Sequence, residues 1–244
     1  MYFGLQIAKM RASDLIVILL LLAGAAASIY WKKLTPAAAI TGVITGSAIY
    51  AGGGYPGLLF LALFFILGTA ATSWRKQDKL LVRGTAAHET TRRAGQVIAN
   101  AGVAAIAGLL AILLPADKPL FLLLMAASFS SATADTLASE LGMVYGRRFY
   151  HLLTLKPDQR GLDGVVSIEG LLLGIAGSTL IAAAYAGTTG WNIRPIAIII
   201  LAGTAGNLID SLLGALFERK GLLTNDTVNF LNTLAAALIA AVLY

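Results

Sequence analysis

Long apolar segments separated by short polar ones run along the whole chain, and polar side chains collect near the ends of those segments. A helix needs about 20 largely apolar residues to cross a membrane. Eight segments approach that length: 15–31, 34–51, 58–73, 96–114, 119–142, 164–186, 195–217 and 227–244. The stretch GGGYPG separates the second segment from the third, because Gly and Pro interrupt helices. Since several segments are short, the pattern predicts seven or eight spans.

The composition agrees with this pattern. Hydrophobic residues make up 58% of the 244 residues and charged residues 12%, whereas an ordinary soluble domain has about 25% charged residues. The sequence therefore predicts an all-α polytopic integral membrane protein, a single domain (1–244) built as a bundle of transmembrane helices. Its polar loops are expected at about 74–95 and 146–164. The 26 glycines favour close helix packing, within one chain or in a homodimer.

Several kinds of site are excluded by residue types and motifs. The chain has no cysteine, so disulfides and Cys-based metal or nucleophile sites are ruled out. Its two histidines, His88 and His151, are too few and too far apart to indicate zinc. Neither a P-loop nor a dinucleotide-binding glycine motif is present, so no soluble nucleotide-binding fold is predicted.

The positions of Lys and Arg predict the orientation. With eight spans, 14 of the 18 basic residues fall on one side of the membrane. Cytoplasmic loops carry an excess of Lys and Arg, so we place that side in the cytoplasm. The protein is accordingly expected in the cytoplasmic membrane of the cell. These charges serve as topology signals, and we predict no nucleic-acid partner.

Polar side chains lie mainly in the cytoplasmic halves of the predicted spans. The segment SSATADTLASELG ends the fifth span with Asp135 and Glu140, and Asp210 lies in the seventh. A carboxylate at membrane depth is costly, so it normally faces protein, water or an ion. Helical spacing groups the polar residues into stripes, including one formed by Asn225, Asn229 and Asn232. The sequence predicts a polar site in one leaflet, facing the cytoplasm.

Two structural explanations compete with this prediction. Asn225 and Asp226 are residue types that commonly cap the first turn of a helix. Asp135, Glu140 and Asp210 could form a purely structural hydrogen-bond network. Three ionisable groups at one membrane depth favour a functional site over such a network.

Five motifs carry a resemblance to a known family. In order, they are GQVIANAGVAA (95–105), ATADTLASELG (132–142), GLDGVVSIEG (161–170), GNLIDSLLGA (206–215) and NDTVNFLNT (225–233). Their order and spacing resemble the integral membrane family called domain of unknown function 92. That family includes transmembrane protein 19 and the plant phytyl-phosphate kinase, and it resembles CTP-using membrane kinases more widely. The chain departs from the family at Val165, where a second glycine is usual.

The resemblance implies a CTP-dependent kinase that phosphorylates a prenyl monophosphate, of phytyl or geranylgeranyl type, to the diphosphate. Such an enzyme requires Mg²⁺, which prefers carboxylate and phosphate oxygens. The implied catalytic residues are Asp135, Glu140 and Asp210, and these together with Asp226 are the expected metal ligands. The implied nucleotide and substrate contacts are Arg92, Arg93, Asn100, Lys156, Ser167, Asn207, Ser211, Asn225 and Asn229.

Two other functions are compatible with the same residues. A cytidylyltransferase would use CTP and the same ion but attack the α-phosphorus of the nucleotide. A secondary transporter would also keep carboxylates within the membrane, although such sites usually lie near the midplane. The clustering of polar residues in one leaflet favours the enzyme.

Overall fold

The computed structural model describes residues 12–83 and 91–244, and most of these residues are helical. The helices are α1 (Ala12–Tyr30), α2 (Pro36–Ser73), α3 (Lys76–Arg83), α4 (Ala94–Leu113), α5 (Lys118–Tyr145), α6 (Ile168–Thr189), α7 (Ile193–Leu213) and α8 (Asn225–Leu243). A 3₁₀ turn (Pro115–Asp117) precedes α5, and a π-helical turn (Gly214–Glu218) extends α7. Two short antiparallel strands, β1 (Tyr150–His151) and β2 (Val165–Val166), lie between α5 and α6.

Seven of the described helices are long and apolar enough to cross a membrane. They are α1, α2 and α4 to α8, with the 3₁₀ and π-helical turns included in the spans of α5 and α7. The predicted all-α polytopic membrane fold is therefore confirmed. The short α3 lies outside these spans.

The longest helix, α2, is a helical hairpin. A straight helix of its 38 residues would be about 57 Å long, at about 1.5 Å per residue. Its two ends instead lie side by side, because Lys33 Nζ donates a hydrogen bond to Ser73 Oγ at 2.9 Å. The chain reverses at Gly54, whose φ of 63° and ψ of −151° are non-helical and suit only glycine.

The reversal divides α2 into a first arm (36–53) and a second arm (55–73). A side-chain carbon placed on Gly46 of the first arm would lie 3.4 Å from Leu61 Cδ2 of the second. Residues this far apart in sequence approach so closely only when the two arms are antiparallel. Gly54 lies within the predicted GGGYPG interruption, and the two arms correspond to the second and third predicted spans. When α2 is counted as two arms, the seven apolar helices provide eight apolar helical segments.

Helix α5 lies at the centre of the bundle and packs against α2, α4, α6, α7 and α8. Its segment AASFSSATA is fully buried, because small residues allow neighbouring helices to approach on every side. Gly203 and Gly206 of α7 lie directly against Ser130 and Ser131 of α5. These close contacts fix the position of α7 relative to the turn of α5 that follows Ser131.

The ends of the helices that surround the polar residues all lie on one side of the bundle, which we call the loop side. There α2 begins and ends, α4, α6 and α8 begin, and α5 and α7 end. The segment 146–166 folds over this side and is held by an ion pair of 2.7 Å between Asp158 and Arg219. The hydrogen bond from Arg219 lowers the pKa of the Asp158 carboxyl below its usual value.

The hairpin can be tested by single-cysteine labelling, because the chain has no cysteine of its own. Trp31, Tyr55 and Trp74 are all well exposed, so each Trp→Cys or Tyr→Cys variant should be reactive. We expect a membrane-impermeant maleimide to label positions 31 and 74 from the same side and position 55 from the other. Labelling of positions 31 and 74 from opposite sides would contradict the hairpin.

Candidate functional site

A cavity of about 630 Å³ lies at the loop side, between the second arm of α2, α4 to α8 and the loop before α6. Ten of the thirteen site residues predicted from the sequence line it. They are Arg92, Asn100, Asp135, Glu140, Ser167, Asn207, Asp210, Ser211, Asn225 and Asn229. The structure thus brings together residues that are spread over more than half of the chain.

Three predicted site residues do not line this cavity. Arg93 is exposed at the N-cap of α4, and Lys156 is exposed on the 146–166 loop. The Asp226 carboxylate lies against Gly95 in the first turn of α4, and Asp226 itself lies in the first turn of α8. Both positions favour a negative charge near a helix N-terminus. The expected role of Asp226 as a metal ligand gains no support from this placement.

The carboxyl groups of Asp135 on α5 and Asp210 on α7 lie within hydrogen-bonding reach of each other at the cavity wall. Two carboxylates repel, so this hydrogen bond requires a proton on one of them. Asn232 of α8 donates to Asp210 Oδ2 at 2.6 Å and accepts a hydrogen bond from Ser131 at 3.0 Å. Since Asn232 is fully buried, this network holds the Asp210 carboxylate in one orientation.

Glu140 lies away from this pair. It follows Asp135 by five residues on α5, which turns its side chain by about 140° around the helix at about 3.6 residues per turn. Its Oε2 is 2.6 Å from the Lys79 Nζ, in an ion pair that is almost completely buried. The predicted set of four metal-binding carboxylates is therefore not assembled, because Glu140 and Asp226 have other surroundings.

The remaining donors fit a magnesium ion. Among the residues that the structure describes, no group of three or more Asp, Glu, His or Cys side chains is arranged around a common point. Magnesium does not need one, because it commonly keeps several waters and takes one or two carboxylates. Asp135 and Asp210 would supply two such carboxylates, and the positive charge of a bound ion would remove the need for a shared proton.

Lys79 was not predicted as part of the site. The sequence places it among six basic residues between 75 and 93, and nothing in their spacing distinguishes it as the partner of Glu140. In the structure its side chain is completely buried, and it also donates to the carbonyl oxygens of Ala71 and Thr72 at 2.8 and 2.9 Å. The one available signal was Glu140 itself, since a carboxylate at membrane depth needs a partner.

Arg92 lies at the wall of the cavity formed by α2. Its guanidinium carbon is 5.2 Å from the centre of the Phe64 ring and 5.8 Å from that of Phe65. The backbone of Arg92 is fixed, because its N–H donates to Lys33 O and its carbonyl accepts from Thr35 N. Burial lowers the pKa of Arg92, and the negative charge of Glu140 partly offsets that effect.

The polar residues of α8 form a continuous line from the loop side to Asp210. Asn229 Nδ2 donates to Asn225 Oδ1 at 3.1 Å, and Asn232 contacts Asn229 Oδ1 at 3.5 Å. The N-cap of α8 is Thr224, whose hydroxyl accepts from the Thr227 N–H. Asn225 and Asp226 are therefore not the residues that cap this helix.

The loop before α6 adds residues that were not predicted. Asp163 lines the cavity, and its charge acts on both Asp210 and Arg219. The next residue, Gly164, has a φ of 74° and lies directly against Ala215, where no side chain would fit. Val165, where the chain departs from the family pattern, pairs with His151 in the small sheet.

The family described as "Integral membrane protein DUF92" matches residues 18–237. The chain belongs to this family. No solved structure matches it significantly.

Two relatives of this DUF92 chain come from microorganisms, and a third comes from a plant. "Uncharacterized membrane protein MJ0933" of Methanocaldococcus jannaschii is 34% identical over 78% of this chain and 77% of its own. "Uncharacterized membrane protein sll0875" of Synechocystis is 34% identical over 86% and 82%, respectively. "Protein VTE6, chloroplastic" of Arabidopsis thaliana is 33% identical over 84% of this chain and 62% of its own length.

Gly164 offers a test of how firmly the loop is held over the cavity. Gly164→Ala should both strain the backbone and force the loop off Ala215. We expect trypsin to cleave the 146–166 loop at least about tenfold faster in this variant, because docked backbone resists proteolysis.

Gly221→Ala is the matched control. Gly221 also has a positive φ, of 71°, but no atom lies within 4 Å of an added side-chain carbon. It should lose about 1 kcal/mol or more of stability through strain alone while loop cleavage stays near the parent rate. Equal cleavage rates in the two alanine variants would contradict a specific role for the Gly164 contact.

Proposed function

We propose that this DUF92 protein is a CTP-dependent kinase that transfers the γ-phosphoryl group to a prenyl monophosphate of phytyl or geranylgeranyl type. The reaction would take place on the cytoplasmic face of the cell membrane. The observation that carries the proposal is the hydrogen-bonded pair of carboxyl groups, Asp135 and Asp210, inside a cavity at membrane depth. The five-motif resemblance to a family that includes plant phytyl-phosphate kinase supports the choice of reaction, and a plant chloroplast protein is among the relatives.

The depth of the site suits a substrate with a lipid tail. Asp135 lies ten residues before the end of α5 at Tyr145, which is about 15 Å at about 1.5 Å per residue. The polar cavity connects this depth with the loop side. In the proposed reaction the prenyl chain remains in hydrocarbon while its phosphate reaches the carboxyl pair, and the water-soluble nucleotide enters from the loops.

Each polar group has a role in this proposal. Asp135 and Asp210 would hold Mg²⁺, which when bound supplies the positive charge that neutralises the phosphoryl oxygens. Asn232 orients Asp210, and Arg92 offers charge-assisted hydrogen bonds to a phosphate. Neutral donors from α7 and α8 position the nucleotide. No protein nucleophile is needed, because an oxygen of the acceptor phosphate attacks the γ-phosphorus directly.

The reaction can be identified with position-specific labels. Purified protein in lipid nanodiscs is incubated with Mg²⁺, geranylgeranyl monophosphate and CTP labelled in either the α- or the γ-phosphate. We expect only the γ-label to reach the lipid product, with CDP released. Transfer of the α-label with release of pyrophosphate would instead indicate a cytidylyltransferase. No transfer of either label to geranylgeranyl, phytyl or farnesyl monophosphate would contradict the proposed activity.

The carboxyl pair can be tested by charge removal. Asp135→Asn and Asp210→Asn keep the side-chain volume but remove a ligand charge. We expect γ-phosphoryl transfer to fall by at least about 100-fold in each, because metal-based charge stabilisation is worth several kcal/mol. Asp117→Asn is the control, since Asp117 is exposed before α5 at the opposite end of the bundle.

Folding is measured separately by size-exclusion chromatography and thermal unfolding in detergent. All three Asn variants are expected to remain monodisperse with melting temperatures near that of the parent. Asn variants at 135 and 210 that transfer phosphate at the parent rate would assign these carboxylates to a structural network.

A further inference from the structure

We propose that Lys79 is a positioning residue for an anion site centred on Arg92. By neutralising Glu140, Lys79 leaves the positive charge of Arg92 available to a phosphate group in the cavity. The inference rests on the proposed function in one respect, which is that the ligand of the cavity carries phosphate. It does not depend on the identity of the nucleotide or on the transfer reaction.

Lys79 cannot itself contact a ligand. An ammonium group has three hydrogen-bond donors. In Lys79 these match three acceptors, which are Ala71 O, Thr72 O and Glu140 Oε2 at 2.8, 2.9 and 2.6 Å. Its side chain is completely buried and is not part of the cavity wall. Any effect of Lys79 on a ligand must therefore pass through Glu140.

The orientation of α3 shows that this burial is specific. The helix turns Lys79 into the protein and leaves Leu81 88% exposed, which is the reverse of the usual amphipathic arrangement. Burying an ammonium group is costly unless it is paired and hydrogen-bonded. The burial of Lys79 is therefore explained by its ion pair with Glu140 and not by hydrophobic packing of α3.

Arg92 has the opposite character. Within the part of the chain that the structure describes, its guanidinium stacks on Phe64 and Phe65 but has no hydrogen-bond acceptor. A guanidinium carries five N–H donors, which suit the oxygens of a phosphate. Gly68 provides the space for this group, because a side-chain carbon there would lie 2.6 Å from Arg92 Nη2.

Glu140 links the two cations. It lines the cavity together with Arg92, its negative charge acts on the guanidinium, and it forms the ion pair with Lys79. Among these three groups, two positive charges and one negative charge sum to about +1. Without the ion pair to Lys79, more of the Glu140 charge would act on Arg92. The guanidinium would then be neutralised and turned away from an incoming anion.

The test compares three variants of the full-length protein in nanodiscs: Lys79→Met, Glu140→Gln and the double variant. Binding of inorganic pyrophosphate is measured by calorimetry in excess chelator, so that no metal ion at the carboxyl pair contributes to the affinity, and the carboxyl pair itself is the same in every variant. We expect Lys79→Met to weaken pyrophosphate binding by about tenfold or more, the effect of losing a charge-assisted contact. Glu140→Gln should bind as well as the parent, and the double variant should recover to within about threefold.

A merely structural role for the ion pair predicts a different pattern. Either single substitution would then break the same contact and weaken binding equally. Parent-like affinity in Lys79→Met, or equal losses in Lys79→Met and Glu140→Gln, would overturn the proposal. Because pyrophosphate binding in chelator is independent of phosphoryl transfer, failure of the kinase assay would leave this result interpretable.

A second comparison uses two glycine variants, neither of which removes the partner of a buried charge. Gly68→Ala should displace only the mobile end of Arg92 and leave the fold intact, and we expect it to weaken pyrophosphate binding by about tenfold. Gly42→Ala is the control, because no atom lies within 4 Å of its added carbon. Unchanged affinity in Gly68→Ala would show that Arg92 does not form the anion site.

Discussion

The cost of placing charge at membrane depth is the constraint on which the rest of this structure depends. Lipid offers neither water nor counter-ions, so each ionisable group must be satisfied by another part of the protein. The central helix α5 carries two such groups, Asp135 and Glu140, on different faces. One meets a carboxyl group of α7 and the other a lysine of α3. The helices around α5 are arranged so that both partners reach it.

This division gives the cavity two chemically distinct walls. The wall formed by α5, α7 and α8 has the paired carboxyl groups and a line of asparagines, which suits a divalent cation. The wall formed by α2 has Arg92 over two phenylalanine rings, which suits an anion. A phosphate chain with its metal ion requires both kinds of wall within reach of each other. The proposed reaction uses this juxtaposition and asks for no covalent chemistry from the protein.

Much of this arrangement could be predicted from the sequence, because the membrane imposes simple rules on it. Apolar segments and the GGGYPG interruption predicted the helices and the reversal of α2, and ten of the thirteen predicted site residues line the cavity. The partner of each carboxylate could not be predicted. Lys79 is 61 residues from Glu140, so their pairing is decided by packing. The sequence motifs do not distinguish the surroundings of Asp135, Glu140 and Asp226. In the folded chain, Asp135 is paired with another acid, Glu140 forms an ion pair, and Asp226 lies at a helix N-terminus.

The central claim is that Asp135 and Asp210 together bind a divalent cation in place of the proton that they share. Calorimetric titration with Mn²⁺, repeated in buffers of different ionisation enthalpy, measures the ion and the proton in one experiment. We predict one ion bound with release of about one proton by the parent protein, and loss of both signals in Asp210→Asn. Absence of Mn²⁺ binding by the parent, or binding that persists unchanged in that variant, would contradict the claim.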